Sequence, residues 1–213
     1  MKWTDQNMNR PLGEQEGFQV FHREYEDAIK MVNTRLEILV DDFEVRNDYS
    51  PIHSIVKRLK TPDSIQEKLE RQGCEVSIPS ARENIKDIAG IRVICNFIED
   101  VYQVADMLTG QDDIELVSFK DYIKNPKPNG YRSLHLALKV PVFHIDKKMI
   151  MPVEVQIRTV AMDFWASLER QLRYKQNNEG KISEKTNIEL KACAEVSAKL
   201  DKRMQKIFDE VKK

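Results

Sequence analysis

The chain has 213 residues, of which 41% are hydrophobic, so it can bury one sizeable core. Its formal net charge of −1 gives no reason to expect a stable nucleic-acid partner, although a local basic cleft is compatible with it. The three cysteines are odd in number and form no CxxC pair, which favours reduced thiols in the cytoplasm and disfavours a structural zinc site. Neither a secretory signal nor an apolar run of the roughly 20 residues that span a membrane is apparent.

The first segments are predicted to be a tail and a long helix. Residues 1–16 lack a periodic apolar pattern and are expected to form a flexible tail. Apolar residues then recur at steps of three and four from Phe18 to Phe43, which predicts a helix over 18–46.

Two proline-containing pairs predict further helix starts. Ser50-Pro51 combines an N-cap residue with a first-turn proline, which predicts a short helix whose apolar face ends at Leu59. Thr61-Pro62 repeats the signal, and Gly73 is expected to end the helix that it starts over 62–72.

The middle of the chain changes to a strand pattern. Short β-branched runs and apolar alternation predict four strands, at 91–97, 115–120, 132–140 and 150–157. A helix over 99–109 is predicted between the first two strands. The sequence NPKPNG at 125–130 predicts a loop, because its prolines and its Asn-Gly pair disfavour regular structure.

The C-terminal segments return to a helical pattern. Thr159 is predicted to cap a helix that runs to about Tyr174, and a loop is expected at 177–180. The last helix is predicted over 183–211, with an apolar stripe at Cys193, Val196, Leu200, Ile207 and Val211. This order of segments predicts a single α/β domain, with a core over 50–175 and long terminal helices. The stripes of the two terminal helices could pack on the sheet or join copies of the chain.

Phosphate-binding loops rich in glycine are missing. Neither GxxxxGK[ST] nor GxGxxG occurs, so bound phosphates would have to be held by side chains and metal. No His-Asp dipeptide occurs, which disfavours a metal phosphohydrolase of the HD type, and no GxSxG elbow is present.

Two carboxylates are the first candidates for chemistry. Asp87 precedes a predicted buried strand, and Glu154 lies mid-strand on the face opposite Val153, Val155 and Ile157. Carboxylates from two separate strands could hold Mg²⁺ between them. The alternative is that both are solvated residues on a sheet surface, as many sheets have.

Basic residues are concentrated in two places. The first set lies around the start of the helix over 62–72, where the helix dipole also favours anions: Lys57, Arg58, Lys60 and Lys68. The second set surrounds the proline loop: Lys120, Lys124, Lys127 and Arg132. Arg92 interrupts a predicted buried strand, where an unpaired guanidinium would be costly. Together these residues are typical of a polyphosphate site built from cations.

An aromatic residue and a histidine accompany these charges. Tyr131 and His135 are predicted to share one face of a strand, roughly 13 Å apart. Tyr131 could stack on a base, and His135 could donate to a phosphate oxygen. Either residue alone is more often structural.

Four segments together resemble the RelA/SpoT-type (p)ppGpp synthetase domain in order and spacing. They are VKRLKTPDSIQEKL, DIAGIRVICNF, FKDYIKNPKPNGYRSLHL and VEVQIRTVAMDFWASLE. The resemblance covers about residues 50–175 and includes no hydrolase segment, so the chain looks like a small alarmone synthetase. The NPKPNGYRSLHL wording is most similar to the RelP-like branch.

The resemblance implies a mixed β-sheet of nucleotidyltransferase-like type flanked by helices. It implies a GTP diphosphokinase that moves pyrophosphate from ATP to the 3′-hydroxyl of GDP or GTP, in the stringent response. Asp87 and Glu154 match the carboxylates that bind Mg²⁺, and Glu154 also matches the group that helps to deprotonate the 3′-hydroxyl. A cytoplasmic homotetramer joined through terminal helices is expected by the same resemblance.

The nucleotide contacts are also implied residue by residue. Arg58 and Arg92 match the arginines on either side of the adenine of ATP. The contacts to the ATP phosphates are matched by Lys60, Ser64 and Lys68. Tyr131 matches the ring that stacks on guanine, in a pocket whose loop contains Lys127 and Asn129. The residues around the acceptor phosphates are matched by Lys120, Arg132 and His135.

Two other functions remain open at this point. Some similar short synthetases are toxins that place pyrophosphate on the 3′ end of tRNA, which normally requires a basic face. The chain could also be an inactive nucleotide-binding regulator, although the presence of both carboxylates argues against that.

Overall fold

The computed structural model describes residues 10–176 and 183–212 and contains a five-stranded mixed sheet flanked by helices. The strand order is β1-β2-β5-β4-β3. β2 and β5 are parallel, and the other neighbouring pairs are antiparallel. The predicted fold class is therefore confirmed.

The bounds of the elements follow in chain order. The first part contains α1 (Phe18–Asn47), β1 (Ile52–Leu59), α2 (Pro62–Arg71), α3 (Ile78–Asn84), β2 (Ala89–Cys95) and α4 (Ile98–Thr109). The second part contains β3 (Glu115–Asp121), β4 (Leu134–Phe143), β5 (Lys148–Thr159), α5 (Val160–Gln176) and α6 (Glu184–Val211). None of the helices in the described part of the chain is long and apolar enough to cross a membrane.

The core lies between α1 and one face of the sheet. Phe21, Tyr25 and Leu36 of α1 are almost fully buried, and this helix packs against β1, β2, β4 and β5. On β5 the side chains of Val153, Val155 and Ile157 are buried on the same side. Apolar alternation with a period of two thus meets the helical stripe of α1, as expected for a sheet with one covered face.

The segment after Ser50-Pro51 is a strand, so the predicted short helix is wrong. β1 pairs antiparallel with β2 along its length, from Ile52 opposite Cys95 to Leu59 opposite Ala89. Eight residues with apolar groups at steps of three and four fit either structure, and pairing with a neighbouring strand decides between them.

Two short elements were not predicted. α3 is capped by Ser77, whose side chain accepts from the Ser80 N–H at 3.3 Å. Residues 12–14, expected to lie in the flexible tail, form a 3₁₀ turn in which Leu12 is fully buried. The Leu12 N–H donates to Gln66 of α2 at 3.1 Å, which ties this part of the tail to the fold. Residues 1–9 of the tail and the loop predicted at 177–180 lie outside the described residues.

The two terminal helices differ in what their apolar stripes contact. The stripe of α1 is buried in the core, whereas Val196, Leu200 and Ile207 of α6 are exposed. α6 contacts the rest of the chain with its opposite side, through Ala194, Asp201 and Gln205. The apolar stripe of α1 therefore packs on the sheet of its own chain, whereas the apolar stripe of α6 does not.

Candidate active site

Two adjacent cavities open on the sheet face that α1 leaves uncovered. The first, called here the carboxylate cavity, has a volume of about 700 Å³ and is lined by Asp87, Glu154 and several lysines. The second, called the arginine cavity, has a volume of about 880 Å³ and is lined by four arginines and Tyr131. Lys127 and His135 line both. Each volume is in the range of small-molecule sites.

Asp87 is held by two lysines of the predicted ATP site. Its Oδ1 accepts from Lys68 Nζ at 2.7 Å, and its Oδ2 accepts from Lys60 Nζ at 3.2 Å. Burial raises the pKa of Asp87, but the hydrogen bonds and charges of Lys68 and Lys60 outweigh it and hold the pKa below its ordinary value. Asp87 is therefore an ionised carboxylate at neutral pH, with two cations beside it.

Glu154 is the second carboxylate of this cavity. Its Oε1 lies 3.4 Å from His135 Nδ1, and its Oε2 accepts from Gln156 Nε2 at 3.2 Å. Hydrogen bonding with His135 lowers the pKa of Glu154 by more than burial raises it. An ionised carboxylate that is already hydrogen-bonded can accept a proton from a nearby hydroxyl.

The pair of carboxylates can be tested as a site for magnesium. No group of three or more His, Cys, Asp or Glu side chains in the described part of the chain could hold a metal by itself. Mg²⁺ differs from zinc in that it is commonly bound by one or two carboxylates together with substrate phosphates and water. Asp87 and Glu154 line one cavity and their charges interact, so they fit a magnesium ion shared with a nucleotide.

Tyr131 and His135 are in direct contact, so the predicted separation of about 13 Å does not describe their side chains. The Tyr131 hydroxyl lies 2.8 Å from His135 Nε2, and the ring centroids are 5.8 Å apart. β4 begins only at Leu134, so Tyr131 belongs to the preceding loop instead of an extended strand. Lys127 Nζ lies 4.9 Å from the centroid of the Tyr131 ring.

Arg58 and Arg92 both line the arginine cavity, as their predicted role beside one base requires. Arg58 is exposed on β1, and Arg92 lies on β2 opposite Val56 of that strand. Arg92 Nη1 is 3.4 Å from Asp163 Oδ1, and the Arg92 Nε is buried without a partner in the described part of the chain. A planar cation with an unused donor suits a stacked base with acceptor atoms.

Four predicted residues do not line either cavity, and one of them, Lys60, is connected to the site through its hydrogen bond to Asp87. Ser64 lies in the first turn of α2, one turn before Lys68, and its N–H donates to Thr61 Oγ1 at 3.3 Å. Asn129 donates to Glu169 of α5 at 3.2 Å, and Arg132 donates to the Ala194 carbonyl of α6 at 3.2 Å. Asn129 and Arg132 thus fasten the loop to the two C-terminal helices in this structure.

Gly130 allows the loop to approach α6 closely. Its φ of 91° is in the left-handed region, and a Cβ at this position would lie 2.7 Å from the Ala194 Cβ. The Asn-Gly pair in the sequence predicted a loop here, whereas the partner helix was not predictable from it.

Sequence reasoning missed Arg158, Asp163 and Tyr122. Arg158 and Asp163 form an ion pair of 3.1 Å behind Tyr131, and Tyr122 lies edge-on to His135 with centroids 5.2 Å apart. Arg158 continues the alternation that places Glu154 and Gln156 on one face of β5, which was the available signal. No such pattern marks Asp163 or Tyr122.

Comparisons with known proteins find similar sequences and similar structures. Residues 57–179 match a family described as a region found in RelA / SpoT proteins. The chain is 42% identical over 187 residues to the GTP pyrophosphokinase YwaC of Bacillus subtilis (strain 168), which covers 88% of each chain. Among solved structures, small alarmone synthetase 2 of Bacillus subtilis has a TM-score of 0.82 at 40% identity and covers 92% of this chain and 100% of that one. Small alarmone synthetase 1 of Bacillus subtilis, bound to its product pppGpp, has a TM-score of 0.83 at 34% identity and covers 93% and 100%.

Proposed function

Because this chain belongs to the RelA/SpoT family, we propose that it is a (p)ppGpp synthetase that transfers pyrophosphate from ATP to the 3′-hydroxyl of GDP or GTP. The relatives named GTP pyrophosphokinase and small alarmone synthetase, which align over most of the chain, support this enzymatic activity. One of those structures holds pppGpp, the pentaphosphate that such a transfer to GTP would give.

The observation that carries the proposal is the placement of two ionised carboxylates among cations, directly beside a cavity with planar side chains. Asp87 and Glu154 line the carboxylate cavity, and Arg58, Arg92 and Tyr131 line the adjoining one. Phosphate transfer needs anchored phosphates and an acceptor hydroxyl in line with them, and base recognition needs flat surfaces for stacking. The two cavities supply both requirements side by side.

The proposed reaction balances as follows. The oxygen of the 3′-hydroxyl bonds to the β-phosphorus of ATP, while the bond from that phosphorus to the oxygen bridging to the α-phosphate breaks. AMP leaves with the bridging oxygen, and the hydroxyl proton passes to the carboxylate of Glu154. Holding two substrates in line supplies part of the roughly 7–11 kcal/mol available from positioning, and a general base adds about 10²–10⁴-fold.

Each side chain has a stated part in this proposal. Lys60 and Lys68 neutralise phosphate charge once ATP takes Asp87 out of its present ion pairs. Mg²⁺, held by Asp87, Glu154 and the phosphates, would neutralise charge that develops during transfer. The 3′-hydroxyl lies against Glu154, with guanine on Tyr131 and adenine between Arg58 and Arg92.

The acceptor is proposed to be a free guanosine nucleotide. The described cavities are each sized for a small molecule, and the formal charge of the chain is −1. A tRNA acceptor would call for a wide basic surface, which this net charge does not favour. An inactive regulator would be expected to have lost one of the two carboxylates, and both are present.

We also propose that copies of the chain associate through α6, with a homotetramer as the expected state. Three large apolar side chains of its stripe, Val196, Leu200 and Ile207, are exposed by 45–65%. Such a row is typical of a helix face that packs against another subunit. Light scattering after gel filtration should give a mass above that of one chain, and Leu200→Glu should lower it. A monomeric native protein would refute the association.

Incubation of purified protein with ATP, Mg²⁺ and either GDP or GTP tests the main proposal. Anion exchange should resolve AMP and a more highly phosphorylated guanosine nucleotide in equal amounts, and the better of the two substrates identifies the acceptor. A parallel reaction with deacylated tRNA serves as the control for the other acceptor class. Binding of both nucleotides without AMP would contradict the synthetase function and favour a regulator.

A further inference from the structure

Arg158, which lines the arginine cavity, forms an ion pair with the partly buried Asp163. The Arg158 side chain is 5% exposed, and its Nη1 lies 3.1 Å from Asp163 Oδ1. Arg158 is near the end of β5 and Asp163 is in the first turn of α5. The pair therefore connects β5 to the first turn of α5.

The guanidinium of Arg158 also contacts Tyr131, the ring that is predicted to stack on guanine. Its Nη2 donates to the hydroxyl of Tyr131 and to Gln156 Oε1, the latter at 2.8 Å. Its Nε donates to Ser133 Oγ at 3.3 Å. With all three nitrogens engaged, the planar guanidinium has one orientation, and Tyr131 is fixed through its hydroxyl.

Asp163 uses the same oxygen to contact Arg92, which is predicted to lie against the adenine. Its Oδ1 lies 3.4 Å from Nη1 of Arg92, in addition to its contact with Arg158. Burial and then the charge of Arg158 lower the pKa of Arg92, while the charge of Asp163 raises it. One carboxylate oxygen thus separates two guanidinium groups that would otherwise repel each other.

We propose that Arg158 and Asp163 are positioning residues that place Arg92 and Tyr131 on one shared support, so that binding of either nucleotide strengthens binding of the other. This inference rests on the proposed function, because it takes Arg92 and Tyr131 as the surfaces for the two bases. A base that stacks on Arg92 acts on Asp163 and Arg158, and through them on Tyr131, before the second base arrives. The coupling must be reciprocal, since it is a free energy between two binding events.

The test measures the dissociation constant of GDP for the full chain with Mg²⁺, with and without saturating α,β-methylene ATP. The ratio of the two dissociation constants, without and with the ATP analogue, is called here the coupling factor. In the native protein it should be at least five, because the ATP analogue tightens GDP binding. Asp163→Asn keeps the shape of the side chain but removes the charge between the two arginines. Its coupling factor should fall to near one, and both nucleotides measured alone should bind more weakly.

Tyr131→Phe provides a second, milder variant in case Asp163→Asn does not fold. The ring remains for stacking, while the hydroxyl that Arg158 holds is removed. The coupling factor should again fall, whereas the affinity for the ATP analogue alone should stay at the native value. A coupling factor equal to that of the native protein in both variants would overturn the proposal.

Glu24→Gln is the matched control for loss of a buried anion. Glu24 has a side-chain exposure of 5%, and it pairs with Lys147 at 3.3 Å and with Arg82. This variant should lower the unfolding temperature and leave the coupling factor unchanged. If Asp163→Asn behaves in the same way as Glu24→Gln, the Arg158–Asp163 pair serves only folding.

The failure of this inference differs from the failure of the proposed function. A native protein that forms AMP and the pyrophosphorylated guanosine nucleotide, but has a coupling factor of one, retains its function and loses the shared support. A native protein that forms no AMP with either acceptor loses the proposed function itself.

Discussion

The two faces of the sheet are made by the same strands, but one face is apolar and buried and the other is polar and lines the cavities. On β5, Val153 and Val155 are buried against α1, while Glu154 and Gln156, one residue on from each, line the cavities. A single strand therefore contributes alternately to the core and to the site. Substitutions one position apart should therefore act on different quantities, the free energy of unfolding on one face and turnover on the other.

Glu154→Gln is expected to have the largest effect on turnover. Because the amide cannot accept the hydroxyl proton, the rate of pyrophosphate transfer should fall by about 10²–10⁴-fold. The shape of the side chain is kept, so the midpoint of thermal unfolding should stay within a few degrees of the native value. AMP release resolved by anion exchange measures the first quantity, and circular dichroism measures the second. Near-native turnover would remove Glu154 from the chemistry.

Phe21→Ala tests the other face of the sheet. The Phe21 side chain is 1% exposed in the core between α1 and the sheet, so its removal should lower the free energy of unfolding by about 3–5 kcal/mol. The folded fraction should retain native turnover. Val20, the preceding residue, is 63% exposed, and Val20→Ala should change stability by less than about 0.5 kcal/mol. Equal effects of the two substitutions in urea unfolding would contradict the packing of α1.

Local patterns in the sequence could predict the apolar face but not the contacts between elements. The alternation of β4 and β5 and the stripe of α1 specify which residues face a core, and the structure agrees. The stripe of α6 has the same kind of periodicity, yet Leu200 and Ile207 are exposed. Periodicity indicates that a helix has an apolar side, whereas the partner of that side depends on the rest of the fold.

Site residues that are marked by a pattern in their own segment could be predicted, whereas contacts between distant segments could not. The places of Asp87 and Glu154, next to and within strands, indicate both residues from the sequence, and both line one cavity. The contact between Tyr131 and His135 was not foreseen, because it depends on where β4 begins. Asp163 lies between two arginines from different strands, and no short stretch of sequence encodes that meeting.

Tyr131→Ala tests base binding on the polar face of the sheet. The loss of the ring should weaken binding of the guanosine nucleotide by about 1–3 kcal/mol, the usual contribution of an aromatic ring stacked on a base. Because Tyr131 lies outside the main core cluster, the stability of the fold should change little. Isothermal titration with each nucleotide alone separates the two sites, since ATP binding should be almost unaffected. Equal weakening of both nucleotides would contradict the stacking assignment.

Asp201→Asn should have a small effect on stability, and the size of that effect depends on pH. Burial raises the pKa of Asp201 more than the hydrogen bond from Thr159, at 2.6 Å, and the charge of Arg132 lower it. A raised folded pKa means that the folded state holds this proton more tightly. The stabilisation from proton binding is therefore present below the unfolded pKa of about 4 and is lost as the pH rises through the folded pKa.

The burial of the charged form of Asp201, close to the end of β5, is thus only partly compensated by its partners. The neutral amide of Asp201→Asn can still accept from Thr159, so the variant should equal or exceed native stability by up to about 1 kcal/mol. Urea unfolding at pH 7 and at pH 4 measures the difference, and the advantage should shrink at the lower pH. A variant that is clearly less stable at pH 7 would mean that this charge stabilises the attachment of α6. The charge of Asp201 would then stabilise its surroundings, as the charge of Asp87 does through its contacts with Lys60 and Lys68.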